Sequence, residues 1–184
     1  MAILTLSGHV ARALDFYNKP SIYSAIGKYT EWKQGDCREL IDGYDPSIDY
    51  NLNPPSPAIT DDMLEIIGYK KVEFRAMVVQ DDEGTLIYRN TNWRIVMPDQ
   101  AVAEGARWVY ISTTLSYSEL PTDKPYRQVG VYTGLVPKPD IPESQYTLLP
   151  EEVEDQGILE VLDHRKPVYR DSDIREFIKL VIEF

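Results

Sequence analysis

Imidazole and thiol chemistry in this sequence rests on three side chains, His9, Cys37 and His164. A Ser–His–Asp or Cys–His relay has to recruit one of the two histidines, and no G-x-S-x-G elbow marks a nucleophilic serine. Arg38 follows Cys37 and is a neighbour that lowers a thiol pKa, yet the segment offers no base to orient the thiol. Zinc needs three or four clustered His, Cys or acidic ligands, a spacing that these residues lack. Asp42, Asp45 and Asp49 place three acids in one loop, but Pro46 and the spacing depart from an EF-hand. Solvated turn carboxylates are their expected role. Neither G-x-x-x-x-G-K-[ST] nor G-x-G-x-x-G occurs, so no glycine loop is set to cradle phosphate. The 30 acidic residues allow many carboxylate pairs, Glu73 with Glu83 among them. Glycoside hydrolysis needs two at a set separation in a cleft, and no pattern selects such a pair. The expectation is a non-enzymatic chain with no catalytic, metal or cofactor-binding residues and no cofactor.

Elements that position side chains are read next. Ser7 to Tyr17 predicts a helix, capped by Ser7, with Val10, Ala13, Leu14 and Tyr17 at helical spacing and Pro20 beyond its end. Ser21 to Ile26 alternates as a strand. From Lys33 to Ala58 periodicity gives way to Asp42-Gly43, Asp45-Pro46 and Asn53-Pro54-Pro55-Ser56-Pro57, the signature of a long irregular loop. A loop of this length in a compact domain points to function or to ordering by a partner. Thr60 to Ile67 predicts a short helix capped by Thr60, with acids in its first turn. Strands follow at Val72–Val78 and Thr85–Met97, joined by a turn at Asp81-Asp82-Glu83-Gly84. A helical turn at Pro98–Gly105 precedes strands at Arg107–Tyr117 and Tyr126–Thr133. After a second Pro-rich loop, Pro137–Pro150, two strands, Ile158–Tyr169 and Ile174–Phe184, are expected around Asp171-Ser172. Short turns make the sheet mostly antiparallel, and the lack of βαβ alternation excludes a doubly wound fold. The fold class is therefore α+β: an antiparallel sheet or β-sandwich body, two or three short helices and long Pro-rich loops. One domain over residues 1–184 is expected, with 33–58 as its long loop.

Composition narrows the partners. Net charge is −11, from 30 acids against 19 bases. Neither nucleic acid nor an anionic membrane attracts such a surface. A single cysteine allows no intrachain disulfide, and a reducing compartment suits it. No apolar run is long enough to cross a membrane as a helix, and the N-terminal residues lack the pattern of a secretory signal. Thirteen Tyr and 13 Pro fit ordered loops and polar-aromatic contact surface. Tyr44, Tyr50 and Leu52 in the long loop are the candidate anchors for a partner, and the loop is expected to order only against another chain. Two polar interruptions of apolar strands, Arg127-Gln128 and Asp163-His164-Arg165-Lys166-Pro167, read either as internal features or as docking rims. Arg127 and Arg165 join the interface candidates.

Those same segments carry a family resemblance. The run Leu159-Glu160-Val161-Leu162-Asp163-His164-Arg165-Lys166-Pro167, with the charged turn and closing strand after it, resembles the end of a baseplate wedge protein of contractile-tailed phages, the T-even-type gene product eight family. Tyr126-Arg127-Gln128-Val129 is similar to that family's (F/Y)-R-Q-(I/V) strand. Asp15-Phe16-Tyr17-Asn18 and Ile26-Gly27-Lys28-Tyr29-Thr30-Glu31-Trp32 match its FYN helix end and FGR-x-x-x-W segment, in the same order. His164 and Lys28 stand where that family has Asn and Arg, and the chain is a short form lacking a central insertion. The resemblance implies a structural, non-catalytic virion protein of the tail baseplate, assembled in the host cytoplasm. It implies a homodimer among other wedge subunits, with copies in multiples of six. Alternatives are another tail or neck adaptor, or a tail-tip carbohydrate-binding or glycan-hydrolysing module.

Overall fold

The computed structural model describes residues 3–171 and 175–184. In chain order its elements are α1 (Leu6–Tyr17), β1 (Ile22–Gly27), α2 (Arg38–Gly43), β2 (Gly68–Lys71), β3 (Phe74–Gln80), β4 (Leu86–Tyr88), β5 (Thr91–Val96), α3 (Ala101–Glu104), β6 (Trp108–Leu115), β7 (Tyr126–Thr133), β8 (Val136–Pro137), β9 (Thr147–Leu148), β10 (Val153–Asp155), β11 (Ile158–Val168) and β12 (Glu176–Glu183). The structure is β-rich with a few short helices, the α+β class expected, and β1–β2, β1–β7, β11–β7, β2–β9, β3–β5, β3–β6, β4–β5 and β10–β8 all pair antiparallel. The chain packs as two compact units, one of Met1–Pro20, Val72–Thr114 and Phe177–Phe184, the other of Ser21–Lys71 and Leu115–Glu176.

The first unit is built on a sheet of order β12-β6-β3-β5-β4. Helix α1 buries Val10, Ala13 and Phe16, one stripe at helical spacing. It starts at Leu6 rather than after Ser7, because the Thr5 hydroxyl accepts the Gly8 N–H at 3.2 Å and so takes the N-cap. Phe16 meets the Phe184 ring at 5.0 Å, and the Phe184 N–H donates to the Arg107 carbonyl, so the last residue is tied in as part of this unit. The expected strand Thr85–Met97 is two strands, β4 and β5, divided at Arg89 and Asn90. Both central residues have positive φ (48° and 63°), the signature of a type I′ two-residue hairpin. Ala76, Val78, Trp93 and Tyr110 form the core beneath them. The helical turn at 98–105 ends on Gly105 at φ 64°, as its Pro and Gly predict.

The second unit holds a sheet of order β11-β7-β1-β2-β9. Strands β1 and β7 are buried at every position, so they are covered on both faces rather than half-exposed. The expected strand Val72–Val78 divides at residues 72–73, with β2 in this sheet and β3 in the other. Strands β11 and β12 likewise belong to different sheets and do not pair with each other. The turn proposed at Asp171-Ser172 lies partly outside the described residues, as does Ile174. Tyr23, Ala25, Met63, Tyr69, Tyr132, Leu135 and Leu148 make the core here, with Tyr69 and Tyr132 edge to face at 5.4 Å.

No helix forms at 60–67. Its backbone groups are spent elsewhere: Leu64 N–H donates to Gln128 Oε1 at 2.7 Å, Leu64 carbonyl accepts Lys28 N–H at 2.7 Å, and Ile67 N–H donates to Ile26 carbonyl at 2.8 Å. Glu65 also sits at φ 46°, outside the helical region. Long-range partners win over local helix bonds because every buried backbone group must find one, and β1 offers them in register.

Candidate functional site

The long loop is the feature around which the second unit's unusual side chains gather. Residues 33–58 contain α2 and otherwise turns and bends. Trp32, Cys37, Leu40 and Tyr50 are buried together as a small core of the loop's own. Burial pushes the Cys37 thiol up, which leaves less thiolate at neutral pH. Polar staples close the loop on itself: Arg38 N–H and Ala58 N–H both donate to the Asp61 carboxylate at 2.7 Å, and Ser56 N–H donates to Glu39 Oε2 at 2.6 Å.

Three further sets of contacts bind this loop to the sheet. Arg127, on the fully buried strand β7, donates through Nε and Nη2 to Asn51 Oδ1 at 3.1 and 3.0 Å, and through Nη1 to the Tyr29 carbonyl at 2.7 Å. Its neighbour Gln128 faces His164 across the β7–β11 ladder. Gln128 Nε2 donates to His164 Nε2 at 3.0 Å, which assigns the other ring nitrogen, Nδ1, as the donor to the Pro55 carbonyl at 2.9 Å. His164 also packs on the Trp32 ring at 4.6 Å. Burial pushes its pKa down, against the Pro55 carbonyl and nearby acids that favour the cation.

Lys28 supplies the third set. It is buried and sits at φ 53°, with Nζ 3.0 Å from Asp36, 3.4 Å from Glu65 and 2.7 Å from Thr30 Oγ1. Burial alone would raise the Glu65 carboxyl. The Thr30 hydroxyl and N–H and the Lys28 ammonium more than offset it, so Glu65 titrates below its ordinary value. A buried ammonium with two carboxylates and a hydroxyl is the pairing that makes an interior charge tolerable. Gly27 lets the chain come this close: a Cβ there would lie 2.5 Å from the Leu64 carbonyl oxygen.

The candidate residues divide by position. Tyr50 and Arg127 are interior, so they act from within: Tyr50 Oη accepts the Asp45 N–H at 3.0 Å and stacks on Tyr44 at 5.7 Å. Arg165 is half-buried and paired with Asp163 at 2.8 Å. Tyr44 and Leu52 face outward, at 36% and 59% exposure, and Ile41, Ile48 and Ile59 join them as exposed aliphatics. Ordering of the loop against a partner concerns its outer side. Its inner side is satisfied by Arg127, His164 and Lys28, and only its outer side is open. Of the two readings open for the Arg127-Gln128 and Asp163–Pro167 interruptions, the internal one holds for Arg127, Gln128 and His164, whereas nothing local in the sequence marks Lys28 as a clamp. The Gln128–His164, Lys28–Glu65 and His164–Pro55 contacts span 36 to 109 positions along the chain, beyond any local pattern.

Among the described residues no group of three His, Cys, Asp or Glu is placed to hold a metal ion. Asp45 and Asp49 instead accept the N–H groups of Ser47 and Asn51 at 2.8 and 2.9 Å, and Asp42 pairs with Arg38 at 2.9 Å. His9 is bound through Nδ1 to the Phe184 carbonyl in the first unit. Beside the loop, residues 57–59, Asp61 and 159–162 line an open groove of about 320 Å³.

A β-rich body that fixes one loop through Arg127, Gln128, His164 and Lys28, and leaves exposed apolar and acidic side chains on that loop's outer side, suits a structural subunit that assembles with others. The comparisons give that class a family. The whole chain, residues 1–184, matches the profile of the baseplate wedge 3 tail fiber network components, and the chain belongs to that family. It is 33% identical over 182 residues to virion protein 3 of Enterococcus phage phiEF24C, a match covering 95% of this chain and 90% of that protein. The resemblance to a phage baseplate wedge protein read from the sequence is met at the level of the family.

Proposed function

We propose that this chain is a non-catalytic wedge subunit of a contractile phage tail. It acts through protein–protein assembly with neighbouring wedge subunits and as a homodimer, in copies that are a multiple of six. It joins the baseplate from the host cytoplasm. The observation that carries the reading is the whole-chain family match. Tyr44 and Leu52 are its outward contact candidates and Arg165 a third at the rim, whereas Tyr50 and Arg127 contribute by holding the loop in place. Family membership and an acidic surface speak for this over a glycan-hydrolysing tip module, which would need a pair of acids facing each other across a cleft. The open groove brings Asp61 and Glu160 to its lining, but Asp61 is spent on the Arg38 and Ala58 N–H groups and Glu160 on the Thr133 hydroxyl.

The test is quantitative mass spectrometry of purified particles together with cryo-electron microscopy of the tail. The expected outcome is density for this chain at the baseplate, in two-fold pairs, with copies divisible by six. A location confined to the neck, or a copy number off that series, would replace the reading with the adaptor alternative.

A further inference from the structure

From Glu39 to Tyr69 the chain runs 31 residues with seven acids and no Lys, Arg or His. Inside this stretch every residue from Ile41 to Asp49 is exposed, and four large apolar side chains point out within twelve positions: Ile41 at 52%, Tyr44 at 36%, Ile48 at 42% and Leu52 at 59%. Interleaved with them are Asp45, Asp49 and Asp42, the last paired with Arg38 at 2.9 Å. Ser47, through its hydroxyl and its N–H, holds the Asp45 carboxyl below the usual range, so it is charged at neutral pH. Exposed large apolar side chains normally occur singly; three aliphatics and a tyrosine on one anchored loop mark a contact surface. The loop's inner clamps mean that little ordering remains to be done on docking, which is the condition for a small apolar surface to bind well.

We infer that the outer face of Ile41–Leu52 docks onto a protein surface of another virion subunit that presents apolar pockets rimmed by Lys and Arg. This rests on the structural reading above and names the chemistry of its partner. Apolar anchors require pockets, and a face whose acids outnumber its one paired cation, Arg38 on Asp42, favours a basic rim, since acid against acid is repulsive across an interface. The same repulsion argues against a second copy of this chain using the same face.

The experiment supplies the purified chain to lysates of a phage lacking its own copy, and counts copies per particle by mass spectrometry at low and at raised NaCl. Ile48→Ser with Leu52→Ser removes two anchors, and incorporation is expected to fall about tenfold or more. Asp42→Asn, Asp45→Asn and Asp49→Asn together remove three charges while keeping the Oδ1 acceptors for Ser47 and Asn51 N–H. Incorporation is expected to fall several-fold at low salt, and wild-type incorporation to decline as salt rises. Thermal melts of each variant confirm an intact fold. Wild-type incorporation of the Ser variant overturns the docking face. Salt-indifferent incorporation, or an unaffected Asn variant, overturns the basic rim. A purified wild-type dimer that the Ser variant loses assigns the face to a second copy and overturns the inference as well. If the wild-type chain itself never joins particles, it is the proposed function that fails.

Discussion

Arg127 shows how a polar residue on an apolar strand changes meaning once its neighbours are known. With Asn51 and the Tyr29 carbonyl as its acceptors, its removal leaves two part-buried oxygens without their donor and takes out a buried side chain. Arg127→Ala is therefore expected to cost about 2–3 kcal/mol in denaturant unfolding, whereas Arg165→Ala, whose pair with Asp163 is partly solvated, should cost less than about 1 kcal/mol. Equal costs for the two would contradict this division of roles. Glu176 makes a second, pH-dependent case. It accepts the hydroxyl of fully buried Tyr126 through Oε1, its Oε2 is buried with no hydrogen-bond partner among the described residues, and burial raises its pKa to about 7. Its folded-state pKa lies above the unfolded value, so its contribution is fully present below about pH 4.5 and is lost as pH rises to about 7. Glu176→Gln should flatten stability in that window, by up to about 3 kcal/mol relative to the parent. Thermal melts from pH 4.5 to 7.5 that show the same slope for both proteins would remove the assignment. His164 has the opposite sign: its lowered pKa means that its contribution is present above the unfolded value near 6.5 and is lost as pH falls below it.

Among the elements, the stretch from Gly27 to Ile67 is where local signals and tertiary demand part. Lys28 N–H, Leu64 carbonyl and Ile67 N–H continue the pairing of β1 past its end, and this requires the chains to approach within the space of a missing Cβ at Gly27. Gly27→Ala is expected to push the 64–67 segment away and cost about 1–3 kcal/mol, with faster amide exchange at Lys28 and Ile67 than elsewhere in β1. Unchanged protection at both amides would show that the segment gives way freely. The helix expected at 60–67 failed for the same reason. Thr60, Asp61 and Asp62 form an ordinary helix start, but Asp61 instead ties the loop through Arg38 and Ala58 N–H. By contrast α1, β7 and the Pro98–Gly105 turn were legible, because their own periodicity, proline and glycine specify them.

For the whole molecule, charge is unevenly spread: a net −11 over the chain includes a stretch of seven acids without a single cation. That stretch is held by cations from outside it, Lys28 on Glu65 and Arg127 on Asn51, and of its outer acids Asp42 is paired with Arg38. If the outer face docks on a basic rim, this distribution makes assembly salt-dependent, which the incorporation experiment with Asp42→Asn, Asp45→Asn and Asp49→Asn reads directly. The two units each own a sheet and a core, so a stability change in Arg127 or Gly27 belongs to the second and one at α1 or Phe184 to the first.

The sequence by itself determined the class of the protein. Alternation and turn chemistry specified an antiparallel β-rich fold with a long loop, the absence of phosphate and nucleophile motifs pointed away from catalysis, and four short motifs in order pointed to a phage baseplate wedge protein. These are local properties, written within a few residues of each other. Only the tertiary structure decided which side of the loop is spent and which is open. Tyr50 and Arg127 turned inward while Ile41, Ile48 and Leu52 stayed out, because hydrogen-bond partners such as Pro55 for His164 come from 109 residues away. No local pattern encodes that distance; the strong preference of buried polar groups for a hydrogen-bond partner does.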